Sequence, residues 1–510
     1  MAGGPETIEW VEGTAILAAR PFAPPPACPV GSAHLRLASL PMSATVTVPL
    51  WLAILVGLAA AWAVYARILV PGVRGFVRRR GERVLDEVAG RLKLEIRPFQ
   101  QTRRQALIDV LVHDARVQEA AAAHAREHGL SREAVTRRLR VYAREIVPAF
   151  NAYLYFRLGY RIGRRVTRSL YRVRIGYSDS EGLARIPASA TVVFVMNHRS
   201  NMDYILAAYL AADQAALSYA VGEWARIWPL QQLIRAMGAY FVRRNSKDEL
   251  YRRVLERYIV MATEAGVTQA VYPEGGLSRD GRMREPKLGA IDYMVRGFRP
   301  DGDRDLVFIP LGINYDRVLE DRTLLADLAP GERRSGALRA AANTLGFVLH
   351  QARLAFRSEW KSFGYACVNF GTPISMREYV AARGLDLRRL GRDERFARVA
   401  ELARHLMAAV ARLIPVLPVP LVATVFLQSL ERPLSESEVK SRVAALAERL
   451  EGAGAHVYVP RRDREFAFTA GLQALRLRHL VEERDGLYAA KASELPMLRY
   501  YANSIAHLLA

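Results

Sequence analysis

From about residue 180 to residue 370 the chain uses one device again and again: a short, mostly apolar run ends abruptly in a polar cluster. Thr191–Met196 runs into Asn197, His198, Arg199 and Ser200, Ala239–Val242 into Arg243 and Arg244, and Gln269–Tyr272 into Pro273, Glu274 and two glycines. Leu306–Asn314 and Ala366–Phe370 are runs of the same kind. Runs with no polar alternate need cover on both faces, so they predict strands of a mostly buried sheet. The stretches between them, Lys247–Glu264 among others, have helical period, and that alternation predicts an α/β domain. There are no internal repeats.

The 510 residues are 51% hydrophobic and 24% charged, enough apolar material for a sizeable core and against a disordered chain. Lys and Arg number 73 against 51 Asp and Glu, a net charge of +22 that implies an anionic partner. No zinc-finger spacing or aromatic RNA-binding motif is present, so nucleic acid is excluded in favour of acidic membrane or phosphorylated substrate. The two cysteines, Cys28 and Cys367, lie far apart and exclude a disulfide framework; Cys367 reads as a buried strand residue.

No charged residue occurs between Arg36 and Arg67. Within that span Val46–Ala66 is long enough, at about 1.5 Å per residue, for a bilayer core of about 30 Å. Trp51, Trp62 and Tyr65 lie toward its ends, and Arg67, Arg74, Arg78, Arg79, Arg80 and Arg83 follow it. A secretory leader has its basic residues before the apolar run, so this arrangement predicts a single-pass anchor with the catalytic part cytoplasmic. Residues 1–41, rich in Pro, Ala and Gly, are expected to be disordered or not naturally made, with Met42 an alternative start. The expected organisation is 42–72 anchor, 73–175 basic helical region, 176–385 catalytic domain and 386–510 C-terminal helical region. In the basic region Leu107, Val110, Leu111, Ala115 and Val117 fall on one side of a helix that Gly129 stops. A second helix runs from a Ser131 cap to about Ser169, with Arg157, Arg161, Arg164, Arg165 and Arg168 along a solvated or headgroup-facing surface. A linker is expected near Pro415–Pro420 and a short strand at His456–Pro460.

The chemistry lies at the strand ends. Asn197-His-Arg-Ser-Asn-Met-Asp203 puts a His at the end of a buried strand and an Asp five residues on, where the chain opens a helix. The carboxylate can fold back onto one imidazole nitrogen, fix the tautomer, and leave the other nitrogen as a general base for an alcohol. Gly238-Ala-Tyr-Phe-Val-Arg243-Arg244 ends in two guanidinium groups suited to a phosphate. Glu274-Gly275-Gly276-Leu-Ser278-Arg279 combines an acid, a hydroxyl and an Arg with glycines that let the backbone approach a ligand. Phe308-Ile-Pro310-Leu-Gly312-Ile-Asn314-Tyr315 is an apolar strand able to line an acyl or pantetheine slot.

These four blocks, in this order and spacing, resemble the glycerolipid acyltransferase superfamily, and within it the glycerol-3-phosphate and dihydroxyacetone-phosphate acyltransferase branch. That branch reads HRSxxD, GAxFxRR and EGGxSRxGR, which appear here as HRSNMD, GAYFVRR and EGGLSRDGR. Residue 201 is Asn where bacterial members often carry His. Val368–Ile374 and the C-terminal Leu498–His507 are similar to later segments of the family. The resemblance implies a mixed sheet flanked by helices. It implies His198 as general base with Asp203 as its orienter. Arg243, Glu274, Gly275, Ser278 and Arg279 would hold glycerol phosphate, and Pro310 would shape the acyl-donor side. The expected reaction moves a fatty acyl chain from acyl-CoA or acyl-carrier protein to glycerol 3-phosphate beside anionic membrane lipids, with no metal or redox cofactor. Acylation of lysophosphatidate is the alternative in the same class; a membrane scaffold with a lapsed site is the alternative outside it. His124-Ala-Arg-Glu127-His128 matches an inverted zinc-protease motif, but its Ala-rich helical setting and lack of a companion motif read as a solvated face.

Overall fold

The computed structural model describes residues 97–211, 216–222, 230–243, 246–328, 363–460 and 463–509, all within one compact unit spanning Val70–Ala510. The N-terminal extension, the apolar segment 46–66, Cys28 and Arg244 lie outside the described residues. Among those described, no helix is long and apolar enough to cross a membrane.

Eight strands form the main sheet: β1 (Arg172–Ser178), β2 (Thr191–Met196), β3 (Ser218–Val221), β4 (Tyr240–Phe241), β5 (Gln269–Val271), β6 (Leu306–Tyr315), β7 (Tyr365–Phe370) and β8 (Ile374–Ser375). Their order is β1-β7-β6-β2-β5-β3-β4, with β8 also on β6. From β6 to β4 every neighbouring pair is parallel, whereas β7 and β8 run antiparallel to β6 and β1 is parallel to β7. The sheet is therefore mixed and flanked by helices, and β2 lies near its middle. Because β2, β3, β4 and β5 are parallel, the residues that follow them emerge at one edge, where ligands of such sheets bind.

The five expected strands are present within a residue or two of their ends. Three were not foreseen: β1, β3 and β8. β1 carries exposed Arg172, Arg174 and Ile175, so it lacks the apolar run that marks the buried strands. A smaller sheet of β9 (Leu434–Ser435), β10 (Val481–Arg484) and β11 (Leu487–Ala490) was likewise unforeseen.

The two long helices of the basic region are each broken. The first is two helices, Arg104–His113 and Ala115–His128, because the Asp114 carboxylate accepts from Arg116 and Val117 N–H groups and caps a new start. Gly129 ends the second with φ 62, as expected. The Ser131 hydroxyl caps Arg132–Ile146, but Pro148 forbids its continuation and the chain resumes as Tyr153–Gly159 and Tyr160–Leu170. On Tyr160–Leu170, Arg161, Arg164, Arg165 and Arg168 are exposed beside Ile162.

One face of the sheet, with Val193, Val195 and Phe308, packs against Arg104–Ile146, Glu249–Glu264, Gly289–Arg296 and Arg392–Leu413. The other, with Met196, Ile309, Leu311 and Tyr315, packs against Pro418–Leu427, Glu436–Gly452, Arg464–Leu477 and Leu495–Ala502. The expected linker is thus wrong: Pro418 starts a helix, the position where a missing N–H costs nothing, and Pro418–Phe426 are all buried. His456–Pro460 contributes only an isolated bridge, Val416 to Val457.

The buried helix Pro418–Leu427 generates a stability prediction. Phe426→Ala, at a side chain 1% exposed, should cost about 3–5 kcal/mol. Val110→Ala, 54% exposed, should stay within about 0.5 kcal/mol. Chemical denaturation of the two variants checks this; equal losses would remove the helix from the core.

Candidate active site

β2 delivers His198 to the sheet edge, and the turn that follows opens the helix Met202–Ala211 with Asp203 in its first turn. Asn197 fastens the strand end: its side chain donates to the Ile313 carbonyl and accepts from the Ile313 N–H, both at 2.8 Å. The His198 ring Nδ1 lies 2.9 Å from Asp203 Oδ2, with both side chains almost wholly buried. An ionised carboxylate can only accept, so Nδ1 carries the proton and Nε2 is left as the acceptor. The Tyr204 hydroxyl donates toward Nε2 at 3.4 Å, and the imidazole stacks on Tyr272 at 4.2 Å between centroids.

Asp203 receives far more than the imidazole. Its Oδ2 also accepts from the Arg199 and Ser200 N–H groups at 2.7 and 3.0 Å, and its Oδ1 from the Tyr315 hydroxyl at 2.6 Å. Four donors hold a buried charge that would otherwise be costly. Burial and the neighbouring Asp203 charge push the Tyr315 phenol well above its ordinary value, so it stays a donor. Ser200 donates to Glu320 Oε2 at 2.8 Å and the Asn201 N–H to Oε1 at 3.2 Å, which ties this turn to the segment after β6.

Glu274 and Ser278 are brought against this turn, but their polar atoms serve the backbone. Glu274 Oε1 accepts from the His198 N–H at 2.9 Å and Oε2 from the Arg284 N–H at 3.0 Å. The Ser278 N–H donates to the His198 carbonyl at 3.0 Å and its hydroxyl to the Arg282 carbonyl at 2.6 Å. In this structure the two residues fold the 274–284 loop onto the His198 turn. Gly275 adopts φ 68, and the space a Cβ would take is filled by the stem of Lys287. Arg279 follows Ser278 and is exposed.

Arg243 stands at a different strand end from His198. It follows β4, with β3 and β5 between that strand and β2, a span of about 14 Å at about 4.8 Å per strand. Its Nε and Nη2 donate to the two oxygens of Glu145 at 2.9 and 2.6 Å, and it lies over the Tyr142 and Tyr251 rings. The reading of Arg243 as a free phosphate hook therefore meets an ion pair instead. Pro310 sits in β6 opposite Val195. Its carbonyl accepts from Gly371, so its missing N–H faces the same side, in the gap where β6 passes from β8 to β7.

Sequence reasoning gave no role to Tyr315, Tyr204, Tyr272, Glu320 or Lys287. Three of them carried a signal: Tyr204 directly follows the Asp of the first block, Tyr272 stands two residues before Glu274, and Tyr315 ends the fourth block. Cys367 is buried in β7, where burial pushes its thiol up to about 12 and away from nucleophile chemistry. The ligand atoms of His124, Glu127 and His128 lie within 4.8 Å of one another, on the helix Ala115–His128 rather than at the strand ends.

Burial raises the Glu274 carboxyl from 4.5 to about 7, against the N–H bonds from His198 and Arg284. The folded protein therefore holds that proton where the unfolded chain has released it. The resulting stability is complete below about pH 4.5 and is lost as pH rises through 7. Glu274→Gln cannot titrate, so the unfolding free energy of the unsubstituted chain should fall relative to this variant between those pH values. Denaturation curves at pH 4.5 and 7.5 measure the difference; a constant difference would refute the raised value.

The comparisons with known proteins agree with this geometry. Residues 178–314, which contain the first three strand-end motifs and the fourth as far as Asn314, match the family model for acyltransferases. Residues 352–510 match the glycerol-3-phosphate acyltransferase C-terminal region. The curated glycerol-3-phosphate acyltransferase of Alteromonas mediterranea is 25% identical over 80% of this chain and 50% of its own. Those of Pseudomonas fluorescens and Ectopseudomonas mendocina are each 29% identical, covering 66% and 80% of this chain and 40% and 49% of theirs. The chain thus spans about half the length of the curated relatives it matches, or less. The crystal structure of the 1-acyl-sn-glycerophosphate acyltransferase PlsC from Thermotoga maritima covers 50% of this chain and 78% of its own, at 19% identity and a TM-score of 0.29, too loose to carry an argument. Residues 178–314 are thus similar to acyltransferases, and residues 352–510 to the C-terminal region of glycerol-3-phosphate acyltransferases.

Proposed function

We propose that this chain is a membrane-bound glycerol-3-phosphate O-acyltransferase that takes a fatty acyl chain from acyl-CoA or acyl-carrier protein and releases lysophosphatidate. The observation that carries the reading is the buried His198–Asp203 pair with Nε2 left as the proton acceptor. Nε2 takes the proton of a glycerol 3-phosphate hydroxyl as that oxygen attacks the thioester carbonyl carbon. The tetrahedral intermediate collapses, the carbon–sulfur bond breaks, and the thiolate leaves with the proton from the imidazolium. Asp203 stabilises that imidazolium and keeps the ring in place. The reaction as written draws on no metal or redox cofactor. Arg279, next to the residue bonded to the His198 carbonyl, is the cation assigned to the phosphate. Pro310 belongs to the strand beside β2 and is assigned to the donor side.

The membrane part of the proposal rests on the uncharged segment 46–66 and on the exposed arginines of Tyr160–Leu170, which suit anionic headgroups. Nucleic acid is not among the proposed partners.

The test is purified protein with labelled glycerol 3-phosphate, dihydroxyacetone phosphate and lysophosphatidate, each with acyl-CoA and with acyl-carrier protein. Transfer to lysophosphatidate alone would reassign the acceptor. His198→Ala should lose on the order of 10²–10⁴ in rate while remaining folded. A folded variant keeping a tenth of the activity would remove His198 from the chemistry. Arg279→Ala should raise the glycerol 3-phosphate KM more than Arg243→Ala, whose guanidinium is engaged by Glu145. The reverse order in steady-state kinetics would return the phosphate to β4.

A further inference from the structure

We propose that the C-terminal helix Leu495–Ala502 is a positioning element of the acyltransfer site, acting through the ring of Tyr500 on Arg199. The inference rests on the reading of His198 and Asp203 as the reacting pair.

Arg199 stands between the base and the turn that holds its carboxylate. Its N–H is the 2.7 Å donor to Asp203 Oδ2, so wherever the Arg199 backbone goes, that bond goes too. Its side chain is only 3% exposed, yet it forms no ion pair among the described residues. Nη1 donates to the Gly281 carbonyl at 2.5 Å, while Nε and Nη2 are buried without a hydrogen-bond partner. A guanidinium in that situation is costly unless something else faces its charge. The Tyr500 ring faces it, 5.0 Å from the guanidinium carbon to the centroid, and the Glu274 carboxyl lies within electrostatic reach. A desolvated contact of this kind is among the stronger cation–π arrangements. The Tyr500 hydroxyl has no hydrogen-bond partner, so the ring face is what the contact uses.

The same segment grips the neighbouring loops. Gly281 adopts φ 89, and a Cβ there would run into the Tyr500 carbonyl oxygen, so loop and helix meet backbone to backbone. Asn503 Nδ2 donates to the Asp280 carbonyl at 2.8 Å. Tyr501 donates to Asp321 and accepts from the Val318 N–H at 3.2 Å and from Arg478 at 2.8 Å. Asp321 follows Glu320, the residue that holds Ser200 and Asn201. Two consecutive tyrosines thus reach both flanks of the His198–Asp203 turn, from about 300 positions further along the chain. Loosening one flank lets the base drift from the reacting hydroxyl, and a misplacement of about 1 Å costs on the order of 10² in rate.

The experiment measures glycerol 3-phosphate acylation with the full chain, three single variants and one double variant, together with thermal unfolding. Tyr500→Phe keeps the ring and should stay within about twofold of the unsubstituted kcat. Tyr500→Leu fills the space but offers no face to the cation. It should lose at least about tenfold in kcat, with the glycerol 3-phosphate KM moving by less than about threefold. Arg199→Met, which removes the cation and keeps the chain length, should show the same loss, and the double variant should be no worse than the poorer single one. Arg199→Met also carries the test if Tyr500→Leu does not fold. A folded Tyr500→Leu or Arg199→Met enzyme with unchanged kcat overturns the inference, and so does a Phe variant as impaired as the Leu one. An inactive unsubstituted chain defeats the acyltransfer reading itself; an active one matched by its Leu variant defeats this inference alone.

Discussion

The Asp203 carboxylate is the constraint around which the site is built. A charge with no solvent contact needs every lone-pair direction answered, and here the answers come from two parts of the chain: the imidazole and two N–H groups of the turn 198–200, and the phenol at the end of β6. Each donor is placed by something larger. The imidazole and the turn depend on where β2 ends, and Tyr315 depends on β6 lying in parallel register beside it. Satisfying one buried anion therefore fixes the relative position of two central strands and the helix that follows the first of them.

A second buried carboxylate, Glu274, repeats the logic one strand over. It spends its oxygens on the backbone of His198 and Arg284, so the end of β5 is clamped to the end of β2. Glu320 does the same from beyond β6 for Ser200 and Asn201. Three acids, each next to the His198 turn, make that turn a rigid object in a region otherwise made of loops. Such rigidity suits a base that has to meet a hydroxyl at hydrogen-bonding distance.

What could be read in the sequence was what burial writes into a local run of residues. β2, β5, β6 and β7 have no polar alternate because both faces are covered, and the motifs at their ends stand out for the same reason. β1 escaped because an exposed edge strand carries Arg172 and Arg174 in place of an apolar run. Pro418 was mistaken for a linker because proline at the first position of a helix and proline in a linker look alike until the flanking Val419–Phe426 are seen to be buried. The partners of the site residues were out of reach for a different reason. Arg243 finds Glu145 at a separation of 98 residues, and Tyr315 finds Asp203 at 112. No spacing rule links positions that far apart, so neither partnership could be read from the motifs.

The face of the sheet formed by Met196, Ile309, Leu311 and Tyr315 is covered by helices that lie between residues 418 and 502. At a synthesis rate of about 5–20 residues per second, this apolar surface stays bare for roughly ten to forty seconds after β6 has left the ribosome. Strand pairing of this non-local kind is slow in any case. During that interval the central strands are a half-finished sheet whose exposed apolar surface favours aggregation until the chain's own last helices cover it.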